Sequence, residues 1–370
     1  MSEAYIEINL KMLEDNIKSI KSILSDRTDI IAVVKGNAYG HGVVDISKHL
    51  NSIGIFNFAV SSLDEAVILR ENKIEGDILV FGYTNPKRAL ELEKYSISQT
   101  IVSFEYAEEL QKTGIPIKCH LKVDTGMNRQ GVNCGNIDEI IHIFKMKNLN
   151  VSGIYSHLSA SDSLIKEDIE FTQNQISKFD RVVTRIRLEG FNPKAHIQSS
   201  YGALNYNKKS YDFVRIGILM YGSLTSPGNN PLIDLHLKPI LSLKAPIVSV
   251  NKTKKGDRIG YGNNFIAERD MITALIPIGY TDGIDRSLSF KDGEVLVKNK
   301  RVKIVGKISM DNMIIDITDI GNVNTGDIAV LIGKDESEEI TDIELAEKTD
   351  SITPEIFSSL SYRLDRITLL

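Results

Sequence analysis

Eight short runs of β-branched and apolar residues alternate with segments of helical periodicity over the first 222 residues of this 370-residue chain. The helical segments repeat apolar residues every three or four positions, whereas the short runs have the composition of buried strands. Such alternation is typical of a parallel sheet, and eight repeats predict a (β/α)8 barrel of the TIM type in an α/β fold. The predicted strands are IIAVVK (30–35), IFNFAV (55–60), DILVFG (77–82), SQTIVS (98–103), IKCHLKVD (117–124), VSGIYSH (151–157), AHIQSS (195–200) and VRIGILMYG (214–222).

Beyond about residue 238 the pattern changes to closely spaced strand candidates separated by Gly, Asn, Asp and Lys, which predicts a mostly-β domain. The stretch at 223–232 is rich in Pro, Gly, Ser and Asn and is the candidate linker. We therefore expect a barrel domain over 1–232 and a strand-rich domain over 233–370. The opening run YIEINL is a candidate strand of the second domain, so residues 1–10 are expected to pair with it.

Charge and composition narrow the possible partners and compartment. The 44 basic and 49 acidic residues leave a formal charge of −5, the wrong sign for binding nucleic acid along a broad face. The chain has no run of 18 apolar residues and no signal-like start, so we expect neither a membrane span nor export. Cys119 and Cys134 are too few for a disulfide scaffold and lack metal-ligand spacing. We expect a cytoplasmic protein without a metal site.

Lys35 closes the first predicted strand and is followed by GNAYGHG. Catalytic groups of (β/α)8 barrels lie at the C-terminal strand ends, so this lysine is expected at the barrel mouth. Burial there disfavours the ammonium form and lowers the pKa of the amine, which makes it available for a Schiff base. A lysine that only extends its charge into solvent is the alternative.

Other polar residues lie at the ends of neighbouring predicted strands. The sixth strand ends in His157, the seventh in Ser199 and Ser200, and the eighth carries Arg215 within an apolar run. A buried arginine needs an acceptor, either a ring nitrogen of a bound cofactor or an internal carboxylate. The small residues after the seventh and eighth strands suit phosphate, which barrels often bind there. A phosphate site together with a reactive lysine indicates pyridoxal phosphate.

With these residues in view, the whole chain resembles the alanine racemase family, pyridoxal-phosphate enzymes with a barrel and a β domain. The runs AVVKGNAYGHG, KVDTGMNRQG and VRIGILMYG resemble its barrel motifs. The resemblance implies that Lys35 binds the cofactor covalently, that Arg129 binds the substrate carboxylate, and that Lys122 is the lysine that is often carbamylated. It also implies that Arg215 faces the pyridine nitrogen. The cofactor contacts expected on this basis are Lys35, Tyr39, His157, Ser200, Arg215, Gly217 and Ile218.

Three later runs, IPIGYTDGIDR, KISMDNM and LSYRLDR, resemble motifs of the family's β domain. They imply that Tyr280 is the second catalytic base and that Tyr362 lies at the active-site entrance. They also imply that Met310 and Asp311 reach the substrate of the partner subunit. The implied assembly is a head-to-tail homodimer with two shared active sites. A tyrosine in an apolar strand, as Tyr280 is, otherwise serves core or interface packing.

The resemblance implies a racemase that interconverts L-alanine and D-alanine and supplies D-alanine for cell-wall peptidoglycan. Racemisation removes a proton from one face of Cα and returns one to the other, so we expect Lys35 and Tyr280 to serve opposite faces. A phenol with a pKa of about 10 is a weak base at neutral pH. His157 is therefore expected to hydrogen-bond Tyr280 and to accept from Arg215. Arg215 in turn is expected to keep the pyridine nitrogen unprotonated, because like charges repel.

Two positions depart from the family pattern. Ser199 stands where Asn is common, and Gly36 stands where Ala is frequent. The run QSSY resembles serine-accepting relatives, whereas a bulky Tyr362 at the entrance favours alanine. A serine or broad-specificity racemase is the first alternative. Less favoured are a pyridoxal-phosphate decarboxylase, whose β-domain motif has a cysteine that is absent here, and a small pyridoxal-phosphate carrier, which resembles the barrel alone.

Overall fold

Eight parallel strands form a nearly closed barrel in the computed structural model, which describes residues 3–225 and 231–370. The strands follow one another in chain order, and the eighth returns to pair with the first, Arg215 lying opposite Ile31. Together with the intervening helices, this arrangement confirms the predicted fold class. The eight strands are Asp29–Val33, Asn57–Val60, Asp77–Val80, Ser98–Ile101, Ile117–Asp124, Leu149–Tyr155, Lys194–His196 and Phe213–Ile216, and Val132–Asn133 adds to the fifth.

Side chains cap the N-termini of three barrel helices, Leu10–Ser22, Leu63–Glu71 and Phe104–Lys112, and these helices bury one face. Ser62, for example, caps the helix Leu63–Glu71, which buries Leu63, Ala66 and Leu69. The helices are Leu10–Ser22, Lys35–Tyr39, Val43–Ser52, Leu63–Glu71, Ala89–Lys94, Phe104–Lys112, Ile137–Phe144, Lys166–Leu188 and Ser200–Asn205, with 3-10 turns at Pro86–Arg88 and Ile218–Tyr221. Within the described ranges, no helix combines the length and the apolar character needed to cross a membrane.

Six of the eight predicted barrel strands extend too far at their C-terminal ends, and the first, seventh and eighth of them bear on the site. The first strand ends at Val33, so Lys35 lies in the following turn, and the seventh ends at His196. The eighth ends at Ile216, because residues 218–221 form a 3-10 turn instead of the predicted continuation to Gly222. This turn is as buried as the strand before it. Apolar composition therefore could not mark where the backbone leaves the sheet.

The C-terminal part is mostly strand, with two helices that the sequence pattern did not predict. Its largest sheet is mainly antiparallel, and a three-stranded antiparallel sheet carries the strand Met271–Ile276 at its centre. The candidate linker at 223–232 lies partly outside the described residues. The strands are Leu241–Pro246, Ser249–Thr253, Arg258–Ile259, Phe265–Ile266, Met271–Ile276, Glu294–Val297, Lys300–Lys303, Met313–Asp316, Ile328–Asp335, Glu338–Ile340 and Asp365–Leu369. The helices are Asp342–Thr349 and Thr353–Ser359, with 3-10 turns at Tyr261–Asn263, Tyr280–Asp282 and Arg286–Ser289.

The strand Tyr5–Asn9 lies in the large sheet of the C-terminal part. It runs antiparallel to Leu241–Pro246 and parallel to Asp365–Leu369. Alternate side chains, Ile6 and Ile8, are completely buried, which fixes the register because a one-residue slip would expose both. The next helix, Leu10–Ser22, packs against the barrel, so this first strand ties the two parts of the chain together.

Candidate active site

A cavity of about 440 Å³ opens at the C-terminal ends of the barrel strands. Parallel strands present these ends at one edge of the barrel, so residues distant in sequence meet there. All nine barrel residues expected at the site line this cavity, as does Ser199. They are Lys35, Tyr39, Lys122, Arg129, His157, Ser200, Arg215, Gly217 and Ile218.

Lys35 begins a left-handed turn. Residues 36–39 all have φ between +52° and +61°, and three of the four are not glycine. Such a conformation costs an L-residue roughly 1–2 kcal/mol, so the turn needs compensating contacts. One of them is internal to the loop, since the Asn37 side-chain oxygen accepts from the Val43 amide at 2.8 Å.

Two further contacts hold this turn from outside. The Gly36 amide donates to the Glu65 carboxylate at 2.7 Å, and the Arg366 guanidinium donates to the Gly40 carbonyl at 3.1 Å. A Cβ at Gly40 would lie only 2.1 Å from the Phe357 carbonyl oxygen, so the helix Thr353–Ser359 approaches as closely as a glycine permits. The C-terminal part of the chain thus supports the loop that carries the lysine.

The environment of the Lys35 amine favours its neutral form. The side chain is accessible from the open cavity, yet protein surrounds it closely enough that desolvation lowers its pKa. The Arg129 guanidinium lowers this pKa further, whereas the Glu65 carboxylate raises it. A neutral amine is the form that acts as nucleophile or base.

Lys122 lies buried on the fifth barrel strand. Desolvation, followed by the positive charges of Arg129 and Arg215, lowers its pKa to about 8. About a tenth of this amine is therefore uncharged at pH 7. An uncharged amine is the form that carbon dioxide modifies.

Arg215 is buried in the barrel and finds neutral acceptors. Nη1 donates to His196 Nδ1 at 2.9 Å, and Nη2 lies 2.9 Å from the Ser156 and Ile197 carbonyl oxygens and 3.1 Å from His157 Nδ1. No carboxylate among the described residues forms an ion pair with it, so the internal carboxylate considered from the sequence is wrong. Burial lowers the pKa of Arg215 to about 10, which leaves it cationic at neutral pH.

Two histidines accept hydrogen bonds from Arg215. A guanidinium only donates, so Nδ1 of both His157 and His196 must be unprotonated. Burial and then the Arg215 charge hold the pKa of each histidine well below its usual range. His196 therefore carries its proton on Nε2 and donates it to His120 Nδ1 at 3.0 Å. His120 and His196 were not predicted as site residues from the sequence, although a polar residue at an inward-facing strand position is the signal that could have indicated them.

Ser200, Gly217 and Tyr39 form a small cradle of donors. The Gly217 amide donates to Ser200 Oγ at 3.2 Å, and a Cβ at Gly217 would lie 2.7 Å from Tyr39 Oη. Burial raises the pKa of Tyr39 to about 12, so its hydroxyl remains a donor. Hydroxyl and amide donors of this kind suit the phosphate group of pyridoxal phosphate, and Lys35 in the same cavity suits its aldehyde. The residues present therefore fit this cofactor.

The four residues expected from the C-terminal part lie outside this cavity. Tyr280, Met310 and Tyr362 are 43%, 53% and 93% exposed, and Asp311 is exposed beside them. The Tyr280 amide donates to the carbonyl of the residue before Met310 at 3.1 Å, and Arg363, next to Tyr362, pairs with Asp311 at 2.9 Å. The four form one surface, here called the C-terminal patch. A single chain does not bring the C-terminal patch and the barrel residues into one site.

Comparisons with known proteins cover nearly the whole chain. Residues 8–225 match the family model for the N-terminal domain of alanine racemase, and residues 240–368 match the one for its C-terminal domain. Among solved structures, an alanine racemase from Clostridium difficile 630 has a TM-score of 0.93 and 29% sequence identity, and the alignment covers 100% of this chain and 96% of that one.

The curated relatives that are named racemases have two different chain lengths. The chain is 42% identical to an amino-acid racemase of Enterococcus faecalis and 37% identical to a serine/alanine racemase of Enterococcus gallinarum, over 98% of this chain in both cases. It spans only 51% of the length of each of these two relatives. It is 35% identical to an alanine racemase of Carboxydothermus hydrogenoformans, over 99% of this chain and 100% of that protein.

Proposed function

We propose, since this chain belongs to the alanine racemase family, that it interconverts L-alanine and D-alanine with pyridoxal phosphate as its cofactor. The observation that carries the proposal is that a lysine of lowered pKa, a cradle of hydrogen-bond donors and Arg129 line one common cavity. The proposal includes a cytoplasmic supply of D-alanine for peptidoglycan. It also includes the division into a barrel domain at 1–232 and a strand-rich domain at 233–370.

Lys35 would hold the cofactor covalently, and Tyr39, Ser200, Gly217 and Ile218 would hold its phosphate. Arg215 would face the ring nitrogen and, as a cation held by neutral acceptors, disfavour protonation there. When bound, this cofactor withdraws electrons from Cα of the substrate and so acidifies its proton.

Two bases on opposite faces would move that proton. Lys35 serves one face, because its lowered pKa increases the fraction of neutral amine that can act as a base. Tyr280 serves the other face, and because it lies on the exposed C-terminal patch of its own chain, it would come from a second copy. His157 Nδ1 accepts from Arg215, so its Nε2 carries a proton that it can donate to the phenol oxygen of Tyr280.

Arg129 would bind the substrate carboxylate and needs an orienting anion. Lys122 supplies one if its uncharged amine attacks carbon dioxide, forming a nitrogen–carbon bond and releasing a proton. The resulting carbamate is negatively charged and would orient the guanidinium through charge-assisted hydrogen bonds. In ammonium form Lys122 would instead repel Arg129.

A serine or broad-specificity racemase is the second candidate. Ser199 lines the cavity at a position where the family commonly has Asn, and a relative named serine/alanine racemase is 37% identical. Exposed Tyr362, which would narrow the entrance from the partner copy, favours alanine.

The decisive experiment follows both cofactor attachment and proton exchange. The chain is loaded with pyridoxal phosphate and reduced with borohydride, and its peptides are analysed by mass spectrometry. We expect the added mass on the peptide that contains Lys35. Deuterium incorporation at Cα of L-alanine and L-serine is then measured in heavy water, with Lys35→Ala as control. Cofactor attached elsewhere, or full exchange by the control, would end the proposal. Exchange of serine but not alanine would select the second candidate.

Subunit mixing tests whether the sites are shared. Lys35→Ala and Tyr280→Phe homodimers are each expected to be nearly inactive. A hybrid of the two has one site with both substitutions and one with neither, so random mixing should restore about a quarter of wild-type activity. A mixture no more active than its parents, or a fully active monomer in sedimentation, would contradict the shared site. The C-terminal patch, with its exposed large side chains, supports the shared arrangement.

A further inference from the structure

Glu65 links the peptide after Lys35 to the loop that follows the second barrel strand. Its Oε1 accepts from the Gly36 amide at 2.7 Å, while Oε2 accepts from the amides of Ser61 at 2.7 Å and Ser62 at 3.3 Å. The first and second barrel strands are neighbours, so the two loops leave the barrel side by side. One carboxylate thus joins two loops at the rim of the cavity.

Helix capping explains only one of these three contacts, the bond from the Ser62 amide. Ser62 Oγ accepts from the Glu65 amide at 3.3 Å, and the Glu65 carboxylate returns to the Ser62 amide, which is a capping box. The bond from Oε1 to Gly36 spans 29 positions of the sequence and is no part of that motif. It requires an explanation outside the helix.

We propose that Glu65 is a positioning residue for Lys35: one carboxylate oxygen fixes the peptide that follows the lysine, and the other anchors it to the start of the next helix. Gly36 is the first residue with positive φ in the left-handed turn, so this bond fixes the residue at which the backbone enters the left-handed conformation. The lysine Cα adjoins the peptide that is held. The effect on racemisation rests on the proposed function, whereas the effect on the amine of Lys35 does not.

Glu65 also places a negative charge near a cationic cavity. Its carboxylate favours the ammonium form of Lys35, against desolvation and the Arg129 guanidinium. The other charged or titratable groups that line the cavity are Tyr39, Lys122, Tyr155, His157, Tyr201 and Arg215. Removing the Glu65 charge should therefore make the Lys35 amine lose its proton at a lower pH, whereas shortening the side chain should move the turn and keep the charge.

Four variants of the full chain separate these effects. Glu65→Gln keeps the length and one acceptor oxygen but removes the charge, and Glu65→Asp keeps the charge but is one methylene too short. Asp64→Asn is the matched control for charge, because Asp64 is the adjacent carboxylate and pairs with Arg88 on the surface. Ser62→Ala is the control for helix capping, since it removes the Ser62 hydroxyl without touching the bond to Gly36.

The first measurement is the pH dependence of Lys35 acetylation in the full chain freed of pyridoxal phosphate, followed by mass spectrometry. We expect the midpoint to fall by roughly 0.5–1 pH unit in Glu65→Gln, the size expected for loss of one charge several ångström away. The pH midpoint of acetylation should stay at the wild-type value in Glu65→Asp and in both controls. The second measurement is racemase turnover of the loaded enzyme, where kcat should fall roughly 10- to 100-fold in both Glu65 variants, with KM within about threefold. Both controls should keep kcat within about threefold.

Two results would overturn the proposal. One is Glu65→Gln with a labelling midpoint and turnover equal to those of Asp64→Asn. The other, decisive even if Glu65→Gln does not fold, is a Glu65→Asp variant as active as Ser62→Ala. If the loaded wild-type chain racemises no amino acid, the proposed function fails, and the acetylation profile of Lys35 alone decides the role of Glu65.

Discussion

Replacing Gly40 with alanine should separate the lysine turn from the C-terminal part of the chain. Gly40 has a φ of +81°, and a Cβ there would lie 2.1 Å from the backbone oxygen of Phe357. No side-chain rotation relieves contact with a backbone carbonyl, so either the turn or the helix Thr353–Ser359 has to move. Lys35 lies at the start of that turn and would move with it.

The expected loss of stability has two contributions. The left-handed φ costs alanine roughly 1 kcal/mol relative to glycine. Extending the 2.1 Å contact to an ordinary carbon–oxygen separation of about 3.3 Å requires a shift of about 1.2 Å between turn and helix. Overpacking of this kind costs roughly 1–3 kcal/mol. We therefore expect the free energy of unfolding to fall by roughly 2–4 kcal/mol, and turnover to fall roughly 100-fold, since a displacement near 1 Å misaligns a reacting group.

Urea denaturation followed by circular dichroism measures the first quantity, and a racemisation assay measures the second. Gly54→Ala is the matched control, because Gly54 has a φ of +83° and a Cβ added there would have no neighbouring atom within 4 Å, so it should lose roughly 1 kcal/mol and no activity. Equal losses of stability and activity in the two variants would refute the inference that the C-terminal helix supports the lysine turn.

Three further outcomes follow from the geometry and charges of the barrel. Gly217→Ala, whose Cβ would lie 2.7 Å from Tyr39 Oη, should weaken pyridoxal phosphate binding roughly tenfold in equilibrium dialysis; unchanged affinity would contradict the cradle. In buffer free of carbon dioxide, acetylation of Lys122 should have a midpoint near pH 8, and a midpoint near that of an ordinary lysine would contradict its burial among cations. Burial lowers the pKa of His41 and His120 to about 4 from an ordinary 6.5, so the unfolded chain binds more protons between these values. The free energy of unfolding should have its full value above about pH 6.5 and fall by several kcal/mol toward pH 4. Urea midpoints that stay constant over this range would be inconsistent with neutral buried histidines.

The sequence predicted the barrel because its signal is periodic and local. Each strand and helix can be recognised from the pattern of a few neighbouring residues. The parallel order of the strands then brings their C-terminal ends to one edge of the barrel. That topology sufficed to anticipate that Lys35, His157 and Arg215 line a common cavity, although they are up to 180 positions apart. The roles assigned to these residues stay predictions.

What the sequence could not predict depends on contacts between distant segments. The left-handed turn after Lys35 contains mostly ordinary residues, and two of the contacts that hold it come from Glu65 and Arg366, which are remote in sequence. The partners of Arg215 were equally hard to predict, because a histidine at an inward strand position indicates a buried polar group but not which residue it contacts. Strand ends were misplaced for a related reason, since the turn at 218–221 is as buried as a strand.

The pairing of Tyr5–Asn9 with Asp365–Leu369 has a consequence for how this chain is made on the ribosome. The strand Tyr5–Asn9 waits for a neighbour about 360 positions later, which at 5–20 residues per second is a delay of roughly 20–70 s. Until its other neighbour, Leu241–Pro246, has emerged, Ile6 and Ile8, completely buried in the finished fold, have no sheet to cover them. The barrel helices can form during synthesis, but the sheet that joins both parts is incomplete until Asp365–Leu369 has emerged, so the nascent chain needs protection from aggregation until then.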